Sequence, residues 1–186
     1  MGPQIHYECG SSPTCSTRQG CGDETGLAYL GKGARDCLVN EAELEELWPG
    51  LRGSGYKITS ERTEDYNCIA WAAERADAWW SPVQDYYWPE GVARELTLEA
   101  FGAAYETLGY SRCDSSAYEP GFLKVAIYVD QNGIPTHVAR QFRDGSWTSK
   151  LGGLEDIRHL SLDHLAGQTE QSYGTRRRPE GCRNSA

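Results

Sequence analysis

The chain has 186 residues, enough for one domain with a substantial core and too few for two comfortable ones. A formal net charge of −9 argues against a nucleic-acid partner, and no stretch approaches the length of a membrane span. Seven cysteines, an odd count with no leader-like opening, argue against a complete disulfide framework; a cytoplasmic location, or export without a cleavable signal, is expected.

Residues 1–39 are rich in Gly, Ser and Cys without sustained periodicity, and are expected to form a flexible or loosely docked extension. Cys9, Cys15 and Cys21 recur every six residues with His6 nearby, too widely for the tight C-x₂₋₄-C pair of a zinc site. Neither a metal nor a cofactor is expected. A domain over 40–178 follows, then a loose basic tail at 179–186, its looseness beginning from about Gly174. Asn40 caps a short helix whose buried side is Leu44, Leu47 and Trp48, and Pro49-Gly50 should stop it. Tyr56-Lys57-Ile58 suggests a brief strand.

The stretch Tyr66-Asn67-Cys68-Ile69-Ala70-Trp71-Ala72-Ala73 reads as a loop entering a helix. Asn67 is a favoured N-cap, which puts Cys68 in the first turn. Ile69, Ala72, Ala73 and Ala76 share one small-residue face, and Ser81-Pro82 predicts the helix end near Trp79-Trp80. A thiol at a helix N-terminus feels the positive end of the backbone dipole, which favours the thiolate; a buried cysteine, by contrast, is usually inert. Between Trp79 and Pro89, five residues are aromatic. They form a wall for a substrate or a loop packed over the core, and different rings can do each. Thr97 caps an amphipathic helix with Leu98, Phe101, Tyr105 and Leu108 on one face and Gly109 as its stop.

Lys124–Asp130 is a buried strand, Pro135–Phe142 its returning partner, and Ser146–Leu151 completes an antiparallel meander. A two-residue turn at Asp144-Gly145 would set Ala139 opposite Lys150. A three-residue turn at Arg143-Asp144-Gly145, with Gly145 at the bulge, sets Ala139 opposite Ser149 and is the better match to R-D-G. Residues 154–166, with scattered leucines, His159 and His164, suggest a short helix and an exposed loop.

A cysteine nucleophile needs a proton acceptor, usually imidazole, and His137 alone of the four histidines opens a buried strand. The pair N-C-I-A-W-A opening a helix and P-T-H-V-A-R-Q beginning a strand resembles the papain-like fold, closest to its NlpC-type and CHAP-type bacterial branches. Together with D-G-S-W-T-S-K-L-G it is similar to an uncharacterised bacterial family of that fold, over about residues 60–178. The resemblance implies an α+β domain in which a nucleophile helix packs on a small antiparallel sheet. It implies Cys68 as nucleophile and His137 as general base in amide chemistry through a thioester, on a peptide or protein substrate. Ser149, or Lys150 in the other register, would orient the imidazole, and Trp71, Trp80 and Trp88 would contact substrate. The upstream glutamine of papain-type oxyanion holes is absent, Arg62 standing six residues before Cys68, and the N–H of Cys68 is the default donor. The alternative is a catalytically degenerate binding module that uses residues 79–88.

Overall fold

The computed structural model describes residues 41–166 in full and the backbone of residues 171–177. The cysteine-rich extension, the Asn40 cap, Cys182 and the tail at 179–186 lie outside the described residues. Among those described, the frame is a seven-stranded sheet: β1 (Lys57–Ile58), β2 (Ser111–Cys113), β3 (Leu123–Val129), β4 (Pro135–Gln141), β5 (Trp147–Lys150), β6 (Asp156–His159) and β7 (Gln171–Arg177). Their spatial order is β1-β6-β5-β4-β3-β7-β2, with every neighbouring pair antiparallel. With α1 (41–47), α2 (Cys68–Ala72) and α3 (Leu98–Glu106), the class is α+β, as the pattern predicts.

Alternation along the central strands divides the core in two, because successive side chains of a strand leave on opposite faces. Val125, Ile127 and Val138 pack with Ile69, Ala70 and Ala72 of α2 and with Phe101 and Tyr105 of α3. Ala126, Tyr128, Ala139, Trp147 and Ile157 pack on the other face with Leu44 of α1, Leu51 and Leu165. The Tyr105 hydroxyl donates to the Ile69 carbonyl at 2.8 Å and ties the two helices together.

The meander forms in the favoured register. Phe142 N–H donates to Ser146 O at 2.7 Å, Arg140 pairs with Thr148 and Gln141 with Trp147, which continues to Ala139 opposite Ser149. Gly145 closes this turn at φ +87°, a conformation a side chain would strain. The Thr97 hydroxyl accepts from Ala100 N–H at 3.2 Å, so α3 starts where its cap predicts.

Four expectations need correction, the first being that Leu47, expected on the buried side of α1, is 45% exposed. The Cys68 helix is a five-residue piece, not one reaching Trp79. Glu74 takes a left-handed conformation (φ +62°), and Arg75 N–H bonds to Ala70 O while Glu74 N–H bonds to Trp71 O. That pair of bonds is a Schellman stop, and Ala76 beyond it is exposed. Within 154–166 a short 3-10 helix does form, at Leu162–His164, but Asp156–His159 form a strand that was not expected, since Ile157 drops into the core while the backbone pairs with both β5 and β1. The stretch from Gly174 is not loose as far as Arg177: β7 lies between β3 and β2 and pairs with both.

Asn67 holds the junction between α2 and the aromatic loop. Its side-chain oxygen accepts from Ala70 N–H at 3.2 Å and Trp80 N–H at 3.3 Å, and its nitrogen donates to Trp80 O at 2.8 Å, all in a buried setting. Asn67→Ala removes the cap and strands two buried backbone groups, and should destabilise the domain by about 2–4 kcal/mol in urea denaturation. Asn67→Asp keeps the acceptor and loses the donor, and should fall between the two.

Candidate functional site

Cys68 stands where the sequence puts it, in the first turn of α2 behind the Asn67 cap. It is partly exposed, yet desolvation by the surrounding protein pushes the thiol up to about 11. The backbone N–H groups of Val138, Ile69 and Cys68 itself, and then the charge of Lys150, pull the other way without overcoming burial. At neutral pH the group is a protonated thiol. A five-residue helix carries too short a column of peptide dipoles to reverse that.

A cavity of about 210 Å³ opens beside Cys68. Trp79, Trp80, Tyr86, Leu96 and Phe101 give it apolar walls, and the start of β4, Pro135–Val138, closes one side. Trp80 is buried, whereas Tyr86 and Leu96 are about half exposed, so the cavity grades into surface.

His137 belongs to the other layer. It lies directly opposite Tyr128 across the β3–β4 ladder, and the two ring centroids are 5.4 Å apart. Tyr128 packs in the cluster under α1, and its hydroxyl donates to Leu162 O. Val138, the next residue, packs against α2. The imidazole of His137 therefore leaves the sheet away from Cys68, and no hydrogen bond joins the two among the described residues. Its Nε2 is buried without a hydrogen-bond partner, and burial, with repulsion from His159, lowers its pKa to about 3. The expected Cys68–His137 dyad is not assembled, because one strand step separates the imidazole from the backbone that touches the sulfur.

Residues 57–178 match a family described as a domain of unknown function, DUF7689. The chain belongs to the DUF7689 family. No curated protein and no solved structure matches it. The DUF7689 region runs from the first residue of β1 to just past the end of β7, so it contains the whole sheet and leaves α1 outside.

The remaining expected site residues of the DUF7689 domain separate in the same way. Ser149 shares the face of Ala139 and His137, as the register predicts, but its hydroxyl meets His159 Nε2 at 3.0 Å rather than His137. His159 Nδ1 lies 2.8 Å from Ser161 O, an acceptor only, so the proton sits on Nδ1 and Nε2 receives the serine hydroxyl. Far from exposed, His159 is 1% accessible, and burial lowers its pKa to about 4. Lys150, the alternative to Ser149, is on the Cys68 side. Its ammonium lies 5.1 Å from the Tyr66 ring centre and donates to Leu154 O, opposite Asp156, whose carboxylate accepts the Tyr66 hydroxyl at 2.7 Å. Burial lowers Lys150 and raises Asp156, each partly offset by the other's charge.

Of the three tryptophans expected to touch substrate, only Trp80 borders the cavity. Trp88 is a core residue, its indole N–H on Ala93 O and its ring tilted against Phe101. Trp71 donates to the Thr148 hydroxyl and lies under the Arg140 guanidinium. Arg62 pairs with Glu155 and Glu43. Among the described residues, no group of three or more potential ligands could hold a metal ion, and no helix is long and apolar enough to cross a membrane. What the sequence reading missed is His159; the apolar Ile157 between polar Asp156 and Arg158 was the available strand signal.

His137 and His159 should make the fold acid-sensitive. Their ordinary value is 6.5 and their folded values are about 3 and 4, so between these limits the unfolded chain binds more protons. Their contribution is full above pH 6.5 and is lost as pH falls. Unfolding free energies from urea denaturation should hold from pH 8 to 7 and drop between pH 6.5 and 5, by up to about 1 kcal/mol per pH unit for each histidine. His137→Leu should flatten that slope.

Proposed function

We propose that the domain is a binding module of papain-like descent, whose aromatic cleft beside Cys68 takes an apolar side chain from a peptide or protein partner. Supporting the descent are a cysteine opening a helix that packs on an antiparallel sheet and a histidine near the start of the neighbouring strand. One observation carries the functional reading: the imidazole that would activate Cys68 packs with Tyr128 on the opposite face of the sheet, leaving a protonated thiol. The cleft volume of about 210 Å³ is below the usual range for whole small-molecule ligands and suits a single side chain.

A second reading, a cysteine-dependent hydrolase or acyl transferase acting on amides, is favoured by the three N–H groups around the sulfur. Such donors stabilise a thiolate, and they stabilise the oxyanion formed when the sulfur attacks a carbonyl. That chemistry then expels the amine, leaves a thioester and hydrolyses it with water, and it needs a base on the α2 side of β4.

Iodoacetamide labelling separates the two. For a binding module, Cys68 should react more slowly at pH 7 than Cys113, which is also partly exposed, accelerate only as pH approaches about 11, and be indifferent to His137→Ala. Rapid labelling at pH 7 that His137→Ala abolishes would restore the enzyme. On the binding side, N-acetyl-leucinamide and N-acetyl-phenylalaninamide should shift the Trp79 and Trp80 indole resonances, and Leu96→Asp should remove the shifts.

A further inference from the structure

A second groove lies on the α2 face of the sheet, at the end where β4 turns into β5. Arg140, Arg143 and Arg158 line it together with Phe142, Glu74 and Asp144, around a volume of about 430 Å³. The convergence is built by the sheet. Thr148 lies opposite Arg140 on one side and opposite Arg158 on the other, so the two arginines share one cross-strand row. Two strand spacings put their backbones about 10 Å apart. Between them stands the Phe142 ring, with the Arg140 and Arg158 guanidinium carbons 5.9 and 5.6 Å from its centre.

Both guanidinium groups are held from behind. Arg140 lies 4.7 Å over the Trp71 ring, and Arg158 donates through Nε to the Ser146 hydroxyl at 2.8 Å. Planar guanidinium forks fixed in this way recognise carboxylate and phosphate groups with little entropy left to lose. The acids now facing them are exposed to solvent. Glu74 approaches Arg140 at only 3.5 Å, and Asp144, which pairs with Arg158, is about half exposed. Three cationic groups against two carboxylates leave this groove positive on a chain whose net charge is −9. Arg143, on the exposed turn, is the additional cation.

We infer that this groove is an oxyanion site, taking the carboxylate or phosphate group of a small ligand against the Arg140–Phe142–Arg158 row, with Asp144 as its built-in competitor. It stands independently of the Cys68 cleft.

Calorimetric titration of the full chain with inorganic phosphate and, separately, with succinate at constant ionic strength tests the inference. At least one anion should give a saturable one-to-one isotherm with a Kd of about 1–10 mM. Arg143→Ala and Arg158→Lys should each weaken it about fivefold or more, the lysine because it loses the bidentate fork. Asp144→Asn should tighten it about threefold by removing the competing charge, an effect opposite to any loss of fold. Arg112→Ala should leave it unchanged. Which anion shows this pattern assigns the ligand chemistry. Absence of saturation by roughly 50 mM, or an isotherm insensitive to Arg143→Ala and Arg158→Lys, would overturn the site.

Discussion

The step from His137 to Val138 on β4 governs what this molecule can do. Two adjacent residues of a strand must leave on opposite faces, and here each is committed to a different core. Val138 packs under α2, and its N–H approaches the Cys68 sulfur. His137 sits beside Tyr128 in the layer under α1. Moving the imidazole to the sulfur needs a one-residue slip of β4, which would also exchange Val138 with Ala139 and turn Arg140 from Trp71 into the opposite core. The irregularity between Tyr128 and Val129, where Val129 pairs with Pro135, lies just before this point. It ends by His137, so regular alternation resumes at the histidine.

The two faces are consequently different chemical environments. Below β4 and β5, Ser149 and His159 satisfy each other in a setting that keeps imidazole neutral. Above them, Tyr66, Lys150 and Asp156 form a polar row beside Cys68. Lys150 is fully buried but has a carbonyl, an aromatic face and a carboxylate around it, which a buried ammonium requires. Its charge acts on Cys68 in the direction of the thiolate, yet desolvation remains the larger effect. The same face continues past Trp71 to the arginine row, so apolar and anion-facing surfaces are laid along one side of the sheet.

Much of this architecture was legible because it depends on local chemistry. The Asn67 and Thr97 caps act within one turn of their own helices, the R-D-G turn fixes the β4–β5 register by itself, and the meander strands carry their own apolar runs. α2 was harder. Its alanine face favours a longer helix, and the left-handed Glu74 that stops it is a residue type that gives no warning of a stop. β6 was hidden because leucines on either side of it imitate helical spacing, while its pairing partners, β1 and β5, include one about a hundred residues earlier. His159 was misplaced for the same reason.

The sequence by itself determined the α+β class, the cysteine behind an asparagine cap, the hairpin register and the face that Ser149 shares with His137. Those follow from bonds between near neighbours and from a strict period of two. Only the tertiary structure decided which face of the sheet receives α2, since a strand's alternation says that His137 and Val138 differ but not which of them meets the helix. That choice is made by the summed packing of Val125, Ile127 and Val138 on α2 and α3 against Ala126, Tyr128 and Ala139 under α1, contacts that no single segment contains.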